Sequence, residues 1–203
     1  VNNLQEIYNG FAHTYDENRD VFDVSEIFDS FYKRLNTKSG EMLDLGCGTG
    51  EPLSKMFIDN GWKVTGVDFS KEMLKLAAQY VPDMKIICAD IRDIDFDDSK
   101  FAAITLLYSL FHIPYIEHEN LFKKFYSWLS SGGQILFTYA TKEYTGHEEF
   151  NGLITFMGQE LFYSHTTPEK LYTTLKNIGF KIEATNYRTI GGETFLWITI
   201  SKP

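Results

Sequence analysis

The chain has 203 residues, enough for one well-buried core or at most two small domains. Apolar residues make up 43% and charged residues 23%, ordinary values for a soluble globular protein. A net charge of -9 argues against a non-specific nucleic-acid binder, which needs a basic face to neutralise phosphates. No apolar run approaches the roughly 20 residues that cross a membrane. The N-terminal residues carry no basic stretch followed by an apolar one, so no signal peptide is expected. Cys47 and Cys88 stand apart with no CxxC pair, which predicts two reduced, buried thiols in a cytoplasmic protein.

In chain order, residues 1–37 are expected to be helical, with Leu4, Ile7, Tyr8 and Phe11 on one face. Short β-rich runs then alternate with longer helical patterns. Strands are expected at 41–45, 63–67, 85–89, 102–107 and 134–139, with two more at 180–187 and 194–201. Helices are expected at 52–60, 71–80, 115–129 and 168–177. That alternation predicts an α/β fold with a largely parallel sheet. Pro52 and Gly61 bracket the first of those helices in the expected order, and Ser70 is placed to cap the second. Ser131-Gly132-Gly133 is expected to end the long helix, and Gly191-Gly192 to turn between two antiparallel strands. With no repeat, linker or low-complexity segment, a single domain is expected. Two segments break the rhythm: the N-terminal 1–37, read as a lid, and 141–167, read as an inserted cap without regular structure. Both are expected to fold over the strand ends.

The first strand runs into Asp44-Leu45-Gly46-Cys47-Gly48-Thr49-Gly50, directly before a helix. Glycines there let backbone approach a ligand, and a helix start offers free N–H groups. The spacing is G-x-G-x-G, not the dinucleotide G-x-G-x-x-G, and no P-loop Lys-Ser/Thr follows. The second strand ends at Asp68, about 20 residues on, where doubly wound folds hold a ribose by its hydroxyls. The third ends at Asp90. Acidic or glycine signals closing three successive strands point to a nucleoside cofactor at the carboxyl edge of the sheet.

From about residue 36 to 140 the chain resembles the class I S-adenosylmethionine-dependent methyltransferases, motif by motif. The matching stretches are Glu41–Gly50, Val67-Asp68-Phe69-Ser70, Ala89-Asp90-Ile91, Phe101–Phe111 and 129–136. The resemblance implies a Rossmann-like doubly wound sheet of seven strands, order 3-2-1-4-5-7-6 with strand 7 antiparallel, and S-adenosyl-L-methionine as cofactor. It implies that Gly46, Gly48 and Gly50 let the methionine part lie on backbone and that Asp68 holds both ribose hydroxyls. Phe69 would pack on the adenine, and Asp90 would accept from its amino group with Ile91 beside the ring. The stretch 8–16 resembles the start of many small-molecule methyltransferases, making Tyr8 and Tyr15 candidate lid contacts; ordinary helix packing is the alternative.

The fourth strand ends in Leu107-Tyr108-Ser109-Leu110-Phe111-His112 at the reversal of strand order, the crevice for a second substrate. The Asn-Pro-Pro-aromatic motif of nucleic-acid amino-methyltransferases is absent, as are the paired glutamates of protein-arginine enzymes and the acidic cluster of metal-dependent catechol enzymes. A small-molecule acceptor methylated on O or N is therefore expected, with no metal and no nucleic-acid partner. His112, and His165 in the inserted segment, are the candidate bases; His147, beside two glutamates, reads as a solvated face. The competing readings are a cofactor- or partner-binding protein without turnover and, less well matched, a nicotinamide-dependent reductase.

Overall fold

The computed structural model describes residues 2–18, 24–156 and 158–203, with side chains described for 4–12, 24–156 and 158–203. Helices are α1 (Asn2–Asn18), α2 (Ser25–Arg34), α3 (Leu53–Asp59), α4 (Lys71–Tyr80), α5 (Tyr115–Trp128), α6 (Lys142–Thr145) and α7 (Pro168–Ile178). Strands are β1 (Glu41–Leu45), β2 (Lys63–Asp68), β3 (Lys85–Cys88), β4 (Phe101–Leu106), β5 (Leu129–Tyr139), β6 (Phe150–Phe156), β7 (Gln159–His165), β8 (Lys181–Ile190) and β9 (Glu193–Ser201). Seven of the strands form one sheet in the order β3-β2-β1-β4-β5-β9-β8. The strands β1 to β5 pair in parallel, and β9 runs antiparallel to β5 and β8. The last two strands thus take the places expected of strands 7 and 6. Among the described residues no helix is long and apolar enough to cross a membrane.

Successive strand residues serve opposite faces, as a pleat of period two requires. Leu43, Leu45, Ile104 and Leu106 pack with Phe122, Phe125 and Trp128 of α5 and Leu171 and Leu175 of α7. Met42, Val64, Ala103 and Leu136 pack on the other face with Phe28 and Phe31 of α2, Phe57 of α3 and Ala77 of α4. Each large apolar side chain fully withdrawn from water contributes about 1.5–3 kcal/mol, so the parallel strands need both helical layers. Local signals set the ends. Ser70 accepts from the Met73 N–H at the start of α4, and Thr167 caps α7, whose first residue is Pro168 and whose end is Gly179 at φ 117°.

Three expectations change. Helix α5 stops at Trp128, and the chain is already extended from Leu129. Gly132 and Gly133 therefore lie within β5, where they exchange backbone hydrogen bonds with Lys202, and do not end the helix. Helix α2 does not fold over the strand ends. It packs on the sheet's flank, with Phe31 6.3 Å from Phe57. The inserted segment is not irregular. It holds a β-hairpin, β6 paired antiparallel with β7 from Phe150↔His165 to Phe156↔Gln159. Burial alternates along β6, and its inward residues Phe150, Ile154 and Phe156 join Leu161 and Tyr163 of β7 and Leu4 and Ile7 of α1 in one cluster.

Candidate active site

The loop after β1 is bound to the neighbouring strand. The N–H groups of Gly46 and Cys47 both donate to the Val67 carbonyl, at 2.8 and 3.1 Å. Gly46 sits at φ 73°, and a Cβ there would lie 1.9 Å from the Ser109 Oγ, so backbone conformation and close approach both require glycine. At Gly48 a Cβ would meet nothing nearer than the Met73 sulfur at 3.9 Å, leaving the backbone open to the cavity. Gly50 behaves differently. It does not line the cavity, and a Cβ there would meet Met84 at 2.9 Å and Val81 at 3.0 Å. Its place is in packing the loop onto the α4–β3 connection.

Beneath the loop Asp44 is buried, accepting from Ser54 of α3 at 2.6 Å and from Thr105 of β4 at 2.7 Å. Burial raises its carboxyl above the ordinary range despite both hydroxyls. Asp68, at the end of β2, accepts from the Gly48 N–H at 2.9 Å through Oδ2 and from the Ser70 N–H at 2.8 Å through Oδ1. Burial dominates here too and pushes its pKa to about 6, against the lowering effect of the backbone donors. One carboxylate thus ties the glycine loop to the next helix, and each oxygen keeps a lone pair for a further donor. Asp90 is joined to Arg92, whose Nη2 donates to Oδ2 at 2.6 Å and whose Nε donates to Oδ1 at 3.0 Å. Burial alone would raise its carboxyl; the guanidinium and backbone N–H of Arg92 outweigh it and hold the pKa low. Asp68, Phe69, Asp90 and Ile91 all line one cavity of about 720 Å³ with Gly46 and Gly48. Cys88 lines it as well and is exposed, while Cys47 is half-buried, so neither matches the expectation of a buried thiol.

Helix α1 closes that cavity on one side. Gln5 donates to the Phe69 carbonyl at 2.6 Å, Asn9 accepts from the Ser70 hydroxyl at 2.7 Å, and Tyr8 meets Phe69 edge-on at 5.8 Å. The Tyr8 hydroxyl lies 2.8 Å from Nε2 of His112. Tyr15 lies outside the residues whose side chains are described. On the other side of His112, Nδ1 is 2.7 Å from the Phe162 carbonyl of β7. A carbonyl only accepts, so Nδ1 carries the proton and Nε2 is the free base. Burial lowers the His112 pKa to about 4, partly offset by that carbonyl, so the ring is neutral at pH 7.

His165 is not brought to the cavity. It is fully buried, with Nε2 2.8 Å from the Thr145 hydroxyl and Nδ1 3.2 Å from the Thr166 carbonyl, and it fastens the foot of the hairpin. His147 is exposed, its ring stacked on Phe150. Among the described residues no group of three His, Cys, Asp or Glu side chains could hold a metal.

Beyond His112 the cavity becomes an aromatic chamber. Phe111 stacks on Tyr163 at 4.9 Å and on Phe195 at 5.0 Å, and Tyr144 stacks on Phe195 at 4.6 Å. Tyr108 lines the cavity at φ 52°, a left-handed conformation costly for a tyrosine; its N–H donates to Thr138 Oγ1 at 2.6 Å. Glu193 also lines the chamber. Sequence reasoning put Tyr108 in the fourth-strand crevice and Tyr163 in the inserted segment without giving either a role, and it passed over Glu193, whose place just after Gly191-Gly192 was the available signal. A smaller depression of about 530 Å³ along α5 and α7 includes none of the strand-end acids or glycines.

Comparison with known proteins agrees with this geometry. Residues 42–133 match the model of a methyltransferase domain. The chain is 33% identical over 141 residues to YqeM of Bacillus subtilis strain 168, a methyltransferase assigned by name only, with 64% of this chain and 54% of that protein aligned. It is 32% identical over 121 residues to the carboxy-S-adenosyl-L-methionine synthase of Campylobacter fetus, covering 57% of this chain and 51% of that protein. The chain thus spans about half the length of these curated relatives. Among solved structures, the 1,6-didemethyltoxoflavin-N1-methyltransferase of Burkholderia thailandensis superposes with a TM-score of 0.75 at 16% identity, over 98% of this chain and 87% of that one. It was solved with 1,6-didemethyltoxoflavin and S-adenosylhomocysteine bound. Residues 42–133 are thus similar to a methyltransferase domain, and the order of the seven-stranded sheet gives the chain the fold of the solved S-adenosylmethionine-dependent methyltransferases it superposes on.

Proposed function

We propose that the chain transfers a methyl group from S-adenosyl-L-methionine to an oxygen or nitrogen of a small molecule, with His112 as the proton acceptor. The observation that carries this reading is the continuity of one cavity, lined by Asp68, Asp90 and the Gly46 and Gly48 backbone and by an aromatic chamber holding neutral His112. The solved neighbour that holds S-adenosylhomocysteine together with a small molecule supports it.

S-adenosyl-L-methionine, when bound, supplies a methyl group on a positively charged sulfur. The chain's own residues supply position and dryness. Gly46 and Gly48 offer bare backbone, the free lone pairs of Asp68 face ribose hydroxyls, and Asp90 with Ile91 and Phe69 frames the adenine. The helix α1 and the β6–β7 hairpin act as lid and cap, joined where Phe11 meets Phe156 at 6.3 Å. Excluding water and aligning two reactants lowers a displacement barrier by on the order of 7–11 kcal/mol in well-oriented systems. An acceptor hydroxyl or amine that takes the place of the Tyr8 hydroxyl meets Nε2 of His112 as a ready base. The proton it gives up goes to Nε2 while Nδ1–H stays on the Phe162 carbonyl.

Calorimetry with S-adenosylhomocysteine tests the cofactor half. Wild type should bind, Asp68→Ala should weaken binding at least about tenfold, the scale of hydrogen bonds to a charged group, and affinity should decline as pH falls through about 6, where Asp68 gains a proton. Folded protein that binds nothing would remove the reading. A nicotinamide cofactor binding in its place would establish the reductase alternative.

A further inference from the structure

The carboxylates that end β2 and β3 are in different states. Asp68 keeps a lone pair on each oxygen, whereas Asp90 is occupied. Its Oδ1 accepts from the Arg92 N–H at 2.9 Å and from Nε at 3.0 Å. Its Oδ2 accepts from Nη2 at 2.6 Å and from Nε at 3.2 Å. A planar guanidinium fork on a carboxylate is among the strongest hydrogen-bonded pairs a protein makes. Both side chains are only 26% exposed, so water competes weakly for either. The pair is also fixed from behind. Nη1 of Arg92 lies 3.5 Å from Glu117 of α5. Lys124 of the same helix donates to the carbonyls of Arg92 at 3.0 Å and Ile94 at 2.7 Å, and the Asp93 N–H donates to the Asp90 carbonyl at 3.0 Å. The turn after β3 therefore holds the guanidinium in place.

Asp90, Arg92, Phe69 and Ile91 line the same cavity. A neutral amino group that reached for Asp90 would have to displace part of an ionised fork, exchanging a stronger hydrogen bond for a weaker one. We infer that Arg92 sets the base specificity of the cofactor site by keeping Asp90 occupied, so that the site takes a purine nucleoside without reading its 6-amino group. The purine is then held by Phe69 and Ile91, whose apolar contact is indifferent to that group, and polar recognition falls on the ribose through Asp68. The identity of the ligand rests on the methyltransferase reading.

Calorimetry on the whole chain with S-adenosylhomocysteine and its 6-deamino analogue, in which hydrogen replaces the amino group, reads that selectivity directly. Wild type should bind the two within about twofold of one another. Arg92→Met keeps the apolar stem and removes the fork. It should bind S-adenosylhomocysteine about tenfold tighter than the analogue, the size of one hydrogen bond to a charged group. Arg92→Lys puts a single point charge in place of the fork; it should give a severalfold preference and serves if Arg92→Met does not fold. An arginine that only braced the turn would weaken both ligands equally and leave their ratio unmoved. A wild-type preference for S-adenosylhomocysteine beyond about twofold, or no rise in preference in the folded variants, would overturn the proposal and leave the methyltransferase reading standing. Folded wild type that binds neither ligand would overturn both.

Discussion

His112 stands between two partners that determine its state: the Phe162 carbonyl fixes the proton on Nδ1, and the Tyr8 hydroxyl occupies Nε2. Burial holds its pKa at about 4. An ordinary imidazole loses its basicity as pH falls through 6.5, whereas this one remains unprotonated down to about 4. Once a true acceptor is known, turnover at saturating cofactor, where the Asp68 titration no longer limits binding, should therefore show no imidazole titration between pH 5.5 and 8. His112→Gln keeps a polar side chain without a base and should lower kcat by about 100-fold or more, with S-adenosylhomocysteine affinity intact. Single-turnover rates across that pH range check both. Full turnover by His112→Gln would show that alignment alone carries the transfer.

At the scale of elements, the polar bonds that hold the roof among the described residues are concentrated at the start of α4. Helix α1 is tied to the start of α4 through Asn9, which accepts from Ser70 Oγ and from the Glu72 N–H, and through Gln5 on the Phe69 carbonyl. Its apolar contacts, Ala12 with Met73 and Leu76 and Leu4 and Ile7 with the hairpin, stand apart from the two clusters of the sheet. Such an element opens locally at much lower free energy than the whole molecule. Asn9→Ala should cost roughly 1 kcal/mol of docking, visible as faster amide exchange across α1 with the global melting transition nearly unmoved. Exchange that stays unchanged in α1, or rises uniformly across the sheet, would contradict a separately opening lid. The hairpin β6–β7 shares this roof but is more firmly seated, with Leu161, Tyr163 and His165 all buried.

For the whole molecule, buried titratable groups set an acid response. His112 and His118 both have pKa values lowered to about 4 by burial. Between pH 6.5 and 4 the unfolded chain holds their protons and the native state does not, so stability falls as pH falls. Asp68, raised to about 6, works in the opposite direction between about 6 and the ordinary carboxylate range, because there the native state holds the extra proton. Asp44, raised by burial, works with Asp68, while His165, lowered by burial, and Asp90, held low by Arg92, work with the two histidines, so the balance lies with stability falling as pH falls. Melting temperatures should decline steadily from pH 6 to 4.5; a flat or rising profile would refute the balance.

The sequence alone carried the strand-end signals and the local punctuation. The bounds of β1 and α4 were readable from period and caps, and Asp68, Phe69, Asp90 and Ile91, which the family resemblance grouped, line one cavity. These are short-range facts, since a strand, a turn and a helix start involve residues a few positions apart. Other features required the sheet to close. Gly50 packs on Met84, Arg92 takes up both oxygens of Asp90, and His165 is buried beneath the hairpin. Tyr8 reaches His112 from 104 positions along the chain. Such meetings depend on which strand lies beside which and at what register. Residue spacing states which groups are neighbours along the chain; only the packed sheet decides which of them share a wall.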